Sequence, residues 1–330
     1  MEPAFPFIVY PCVDPWESLM SVITAKAEPA SGQKAAGRAK ARFWDREAPL
    51  AYLFMIPGLV ILLLFMAYPF FLGIYLSLTD KMVGFADFSF IGLENYQLLL
   101  DDPIFHRTVA NTLIYSVVTV PFKLVLGLGL ALVLNQTFRF SRFVRAGLLL
   151  PWIVPTAISS LAWLMLFDSV LSPISWVLKE WGVIQTNINF LGDRWNAISA
   201  ICVANIWRGL PFFAISILAG LQAVAPELHE AAALDGANAW QRFVAVTLPT
   251  IRNIILITTL FSIIFTFSDF QLIYVLTKGG PASSTHVFGT YAYQTMGFSA
   301  LGQAAAIALS MLPFLAIFAG ILLREIRNED

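Results

Sequence analysis

Three ionisable residues stand inside stretches that are otherwise apolar: Lys123, Arg208 and Asp269. A charge at mid-bilayer depth is costly, and such residues usually mark a pathway or pair with one another. Two readings follow. With Asn205, Trp207, Gln271 and Tyr274, the three groups can line a cavity that offers donors, acceptors and an aromatic face to a polar solute. Alternatively, Asp269 pairs with Arg208 or Lys123 as a structural ion pair, or the charges meet a second subunit. Nothing points to catalysis. His106, His229 and His286 are scattered without metal-ligand spacing, and no G-x-x-x-x-G-K-[ST] loop occurs. Of the two cysteines, Cys12 and Cys202, the second lies in an apolar stretch, so no disulfide framework is expected.

The elements that position these groups follow from composition. The chain is 58% hydrophobic and 12% charged, where a soluble domain carries about 25% charged residues. Net charge is −1, which gives no field suited to nucleic acid. Six apolar stretches, near residues 52–78, 110–134, 146–167, 197–221, 251–276 and 304–323, each reach the ~18 residues that span hydrocarbon. They must be helices, because backbone groups find no water in the bilayer and the runs are too long for barrel strands. An all-α integral membrane protein is the expected fold class. Orientation follows from lysine and arginine. With the N-terminus inside, thirteen lie in inner segments and five in outer ones, so both termini are expected in the cytoplasm.

Residues 1–50 read as a largely disordered cytoplasmic tail, with Lys34, Arg38, Lys40, Arg42 and Arg46 clustered before the first span. Met20 begins a more typical basic tail, so residues 1–19 are expected to reflect start-codon choice. Residues 326–330 form a short inner tail. Outside, Tyr96 to Leu100 suits a short interfacial helix ended by Asp101-Asp102-Pro103. Trp176, Trp181 and Trp195 suit headgroup depth. Pro151 and Pro155 in the third span, Gly209 and Pro211 in the fourth and Pro313 in the sixth are expected to interrupt their helices, either as packing geometry or to shape a cavity.

One long inner segment, 222–250, separates the fourth and fifth spans. Pro226 suits the first position of a helix and Glu227 its first turn. Helix propensity is high through Leu234, and Asp235-Gly236 closes the helix. Asn238 with Gln241 predicts a capped second helix, on which Trp240, Phe243 and Thr247 share a face, and Pro249 marks the start of the fifth span. From these residues alone the segment is either a linker or a docking element.

The pattern E-A-A-x-x-D-G-A at Glu230–Ala237, with Phe243 and Leu248-Pro249, closely resembles the EAA loop of permease subunits in binding-protein-dependent ABC importers. Gly92-Leu93-Glu94-Asn95-Tyr96 and Trp207-Arg208-Gly209-Leu210-Pro211-Phe212 are similar to other segments of that family. Thr277-Lys278-Gly279-Gly280-Pro281 with Thr285 looks like an extracytoplasmic element of its carbohydrate-importing, maltose-permease-like branch. The resemblance covers roughly residues 50–325.

The resemblance implies a type I ABC importer permease fold with a cytoplasmic coupling helix, in a bacterial or archaeal inner membrane. The permease would pair with a second homologous permease. Two ATPase subunits would bind ATP and Mg below, leaving this subunit without a cofactor, and an extracytoplasmic solute-binding protein would deliver a sugar above. Glu230, Ala231, Ala232, Asp235 and Gly236 would form the coupling element, and Gly279, Gly280 and Pro281 would face the binding protein. Lys123, Asn205, Trp207, Arg208, Asp269, Gln271 and Tyr274 would line the sugar pathway. Two other classes compete. A stand-alone secondary transporter or channel predicts inverted repeats, which the sequence does not display, and gives the polar island no role. A membrane-anchored assembly subunit would not need the buried charges.

Overall fold

A computed structural model describes residues 47–136 and 139–327, so the expected N-terminal tail, its start at residues 1–19 and the last three residues lie outside the described part. The chain forms two compact units, Met1–Phe65 and Met66–Asp330. In the first, the described part is helix α1, Glu47–Leu62, and the start of a π-helical turn, Leu63–Ala67, whose last two residues belong to the second. Apolar residues surround α1 without a polar face, the pattern of a helix immersed in lipid.

The second unit is helical throughout its described residues, apart from isolated bridges at Thr79–Phe90 and Met82–Ala300. Its helices are α2 (Tyr68–Ser77), α3 (Glu94–Leu100), α4 (Pro103–Leu134), α5 (Ser141–Ile153), α6 (Thr156–Leu166), α7 (Pro173–Glu180) and α8 (Arg194–Gln222). There follow α9 (Pro226–Leu234), α10 (Ala239–Arg242), a π turn (Phe243–Thr247), α11 (Leu248–Phe267), α12 (Gln271–Leu276), α13 (Phe288–Gly297), α14 (Leu301–Leu309) and α15 (Leu312–Arg327). Among the described residues, five helices are long and apolar enough to cross a membrane, or six with the bent pair α5–α6 taken as one span.

The central pair is α4 and α8. They approach closely at Gly127, where an added Cβ would stand 2.4 Å from the Cβ of Phe213. One apolar cluster, including Val120, Leu134, Phe213 and Ile251, packs this pair against α11. A second, including Tyr115, Ile198, Ile201, Leu272 and Ile273, packs it against α12.

Several span boundaries differ from expectation. Helix α4 begins at Pro103 rather than near 110, because Asp102 caps it by accepting from the Ile104 N–H at 2.8 Å. The Asp-Pro pair that reads as the end of one helix is the start of the next. The third span is two helices bent by 92°. Val154 precedes Pro155 and takes extended geometry (ψ 128°), so the turn falls there while Pro151 stays within α5. The fourth span is not interrupted: α8 runs through Gly209 and Pro211 from Arg194 to Gln222. The fifth breaks at Ser268–Phe270, with no proline or glycine to announce it. The sixth turns at Ser310–Met311, which places Pro313 in the first turn of α15 rather than inside a helix.

Candidate functional site

Beside the break in the fifth span lies a cavity of about 610 Å³ walled by α4, the α5–α6 bend, α8, α11 and the start of α12. Lys123 reaches it from α4, Asn205 and Arg208 from α8, and Asp269 from the break itself. Asp269 Oδ2 accepts from Arg208 Nη2 at 2.7 Å, from Tyr115 Oη at 2.8 Å and from Asn205 Nδ2 at 3.0 Å. Lys123 Nζ makes no ion pair. It donates to Asn205 Oδ1 at 3.0 Å and Thr266 Oγ1 at 3.1 Å. The Asn205 amide therefore stands between the ammonium and the carboxylate, accepting from one and donating to the other. Gly209 makes room for this arrangement, since a Cβ there would stand 2.6 Å from Lys123 Cδ. Of the two pairings that the sequence leaves open for Asp269, the structure forms the one with Arg208.

Gln271 lines the same cavity. Trp207 and Tyr274 do not. Trp207, one position from Arg208 and so turned away on a helix, packs edge-on against Trp163 at 5.7 Å. Tyr274 stacks on Phe270 at 5.0 Å and meets Tyr293 at 5.1 Å. The cavity's aromatic lining comes instead from Trp152, Phe212, Phe265 and Phe270. Sequence reasoning also missed Tyr115 and Thr266. Tyr115 lies eight residues before Lys123, about two helical turns and so the same face, a spacing that could have revealed it.

The segment after α12 is a tightly held loop. Gly279 has φ +87° and is buried, and an added Cβ would fall 1.9 Å from the His286 ring. The Gly280–Pro281 peptide is cis. Thr285 Oγ1 donates to the Gly280 carbonyl, and Gly280 N–H to the Thr277 carbonyl at 2.8 Å. Asn111 of α4 donates to the carbonyls of Ser284 and His286 at 2.8 and 3.1 Å, and Arg194 donates to its Oδ1 at 3.1 Å. The loop is thus bolted to the ends of α4 and α8. Burial lowers the pKa of His286, opposed by a hydrogen bond with the Gln294 side chain. In the loop between α6 and α7 the Leu171 and Val170 N–H groups hold the Asp168 carboxyl below its usual range.

Similar anchoring explains Gly92–Tyr96. Gly92 has φ +63°, and Asn95 then donates to the Ser77 and Thr79 carbonyls at 2.8 and 2.9 Å, tying α3 to the end of α2.

The polar island takes the expected form in its first half. Pro226 starts α9, Asp235 caps it, and Gly236 turns the chain at φ +85°. Asn238 and Gln241 form the reciprocal capping box, at 2.9 and 2.8 Å. Beyond it the expectation of a separate second helix is corrected. The π turn at Phe243–Thr247 carries α10 into α11 without a break, giving one 29-residue helix from Ala239 to Phe267, and its wider turn, in which the Leu248 N–H reaches the Phe243 carbonyl, lies directly before Pro249. Glu230, Ala231, Asp235 and Gly236 are exposed and Ala232 half-buried. Leu234 and Trp240 are 89% and 71% exposed, the Trp240 ring lying beside that of Phe243 at 5.5 Å.

Comparison with known proteins bears on both features. A family model described as "binding-protein-dependent transport system inner membrane component" matches residues 123–324. The sulfoquinovosyl glycerol transport system permease SmoG of Agrobacterium fabrum is 36% identical, covering 85% of this chain and 91% of its own. The trehalose/maltose transport system permease MalF of Thermococcus litoralis is 34% identical, covering 81% and 90%. Among solved structures, a chain of a bacterial ABC transporter that imports the acidic polysaccharide alginate superposes with a TM-score of 0.71 at 22% identity, over 83% of this chain and 95% of that one.

Proposed function

The chain belongs to the binding-protein-dependent transport system inner membrane components, and from that membership we propose that it is the sugar-conducting permease of an ATP-driven importer. As a member of this family it is a transport component rather than an enzyme. The sugar comes from the relatives: permeases for sulfoquinovosyl glycerol and for trehalose and maltose match over most of their length. The stand-alone transporter has no comparable support.

The assembly follows the same reading. A second homologous permease faces the cavity and completes the pathway. Two ATPase subunits bind ATP and Mg on the cytoplasmic side, where both termini lie. An extracytoplasmic solute-binding protein seats on the outer loops, with Gly279, Gly280 and Pro281 facing it. Glu230, Ala231, Ala232, Asp235 and Gly236 form the coupling element. The single observation that carries this role is the exposure of the EAA segment on a capped, glycine-closed helix. The exposed Leu234 and Trp240 beside it suit anchors in a partner's groove, where large apolar residues carry most binding energy. ATP-driven closure of the ATPase pair then moves the island, and the spans alternate between outward- and inward-open states.

The test is to make Glu230→Lys and Gly236→Pro in the intact transporter. Proline cannot adopt the +85° φ of Gly236. Both variants are expected to insert into the membrane but to lose uptake and substrate-stimulated ATP hydrolysis. Undiminished uptake in both would refute the coupling role.

A further inference from the structure

We propose that the cavity takes a sugar bearing a negative charge, a carboxylate, sulfonate or phosphate ester, with Lys123 and Arg208 turned to the acid group. The inference rests on the sugar-permease reading above.

The cavity wall is not electrically balanced. Lys123 and Arg208 line it, against a single carboxylate, Asp269, and every other lining residue is neutral. That carboxylate is already engaged. The same oxygen accepts from Arg208, Tyr115 and Asn205. Lys123 is 3% exposed, yet its ammonium bonds only to a neutral amide and a neutral hydroxyl. An ammonium carries three donors, and these two bonds leave one for an occupant. The Asn205 amide keeps Lys123 from collapsing onto Asp269. Gly209 gives up its side chain so that the lysine stem can lie against α8.

A buried cation without a counter-charge is expensive in a membrane and is retained where it does something. A substrate anion supplies the missing charge. Arg208 adds a planar fork of donors that suits the oxygens of an acid group. Its side chain is 20% exposed, compared with 3% for Asp269, so the arginine is the partner open to the cavity. In the same cavity wall, Trp152, Phe212 and Phe265 offer apolar faces to the sugar ring. The volume of about 610 Å³ falls within the ~300–1,000 Å³ range of small-molecule sites.

The experiment uses the complete transporter with its own solute-binding protein in proteoliposomes. ATP hydrolysis and uptake are measured against matched pairs: each neutral mono- or disaccharide, and the same sugar carrying a C6 carboxylate, C6 sulfonate or phosphate. The expected result is that the stimulating ligands are acidic, acting at concentrations about tenfold or more below their neutral partners. Lys123→Gln is expected to shrink that preference by about tenfold. Neutral sugars that stimulate as well as their acidic partners would overturn the proposal and leave the sugar-permease reading intact, with the counter-charge then supplied by the second permease. Failure of every sugar, acidic or neutral, would overturn that reading itself. An acidic preference that Lys123→Gln leaves unchanged would place charge selection elsewhere and also overturn the proposal. If Lys123→Gln does not assemble, Arg208→Gln is read against the same pairs, and an acidic preference that it leaves unchanged overturns the proposal.

Discussion

Replacing Asp269 with alanine would remove the acceptor shared by Arg208, Tyr115 and Asn205. Tyr115 is 2% exposed and Asn205 is 3% exposed, so neither can turn to water. Each buried donor left without a partner costs ~1–3 kcal/mol, and Arg208 adds less because its 20% exposure admits solvent. The expected loss is about 3 kcal/mol, at the low end for breaking a buried pair. Reversible unfolding of the permease in mixed micelles can measure it, with Tyr115→Phe and Arg208→Met closing two double-mutant cycles. Each cycle should return a coupling of about 1 kcal/mol, since all three groups meet at one oxygen. A loss below 1 kcal/mol, with both partners strictly additive, would mean that the cluster does not hold the break in the fifth span.

Gly127→Val should force α4 and α8 apart, because even its Cβ would meet Phe213 at 2.4 Å; a loss of about 1–3 kcal/mol in the same unfolding assay is expected. Gly279→Ala should cost about 2 kcal/mol or more, from the +87° φ and the collision with His286, and should weaken docking of the binding protein more than assembly with the ATPases, as read by co-purification. His286 has its pKa lowered by burial, so its share of stability is full above the ordinary value of 6.5 and is lost as pH falls toward the depressed one. His286→Gln should flatten the stability profile between pH 7 and pH 5, approximate limits set by that ordinary value. Leu234→Glu should reduce ATPase co-purification by about tenfold or more while leaving unfolding unchanged, since the side chain is 89% exposed.

The spans and the island were legible because they rest on local signals. Hydropathy finds apolar stretches of bilayer length, and the Pro226, Gly236 and Asn238–Gln241 signals act within a few residues of themselves. The cavity was legible only in its charges. Lys123, Arg208 and Asp269 stand out against apolar neighbours, but which of them pair depends on α4, α8 and the end of α11 meeting in space. As residue types, Trp207 and Tyr274 suit the hydrogen-bonding and stacking partners that a sugar needs. Helical geometry turns one onto Trp163 and the other onto Tyr293 instead. The break at Ser268–Phe270 had no proline or glycine to mark it. Its cause lies in the tertiary contacts of Asp269, which holds one oxygen among donors from two other helices.

Connectivity links the island to the cavity directly. Arg208 sits on α8, which ends at Gln222, three residues before the cap of α9. Asp269 follows the 29-residue helix that starts at the island's capping box, about 44 Å long at ~1.5 Å per residue. The island therefore joins the two helices that hold the ion pair, Arg208 at the middle of α8 and Asp269 just past the far end of α11. A loop between island and helix would absorb a displacement, but the structure has none after Asn238. The Phe243–Thr247 π turn keeps the helix continuous while allowing it to bend. A displacement applied to Glu230–Gly236 acts on α8 and α11 together, and any change in their relative tilt alters the spacing of Arg208 and Asp269. The pair that balances part of the cavity's charge is thus joined through α8 and α11 to the exposed Glu230–Gly236 segment.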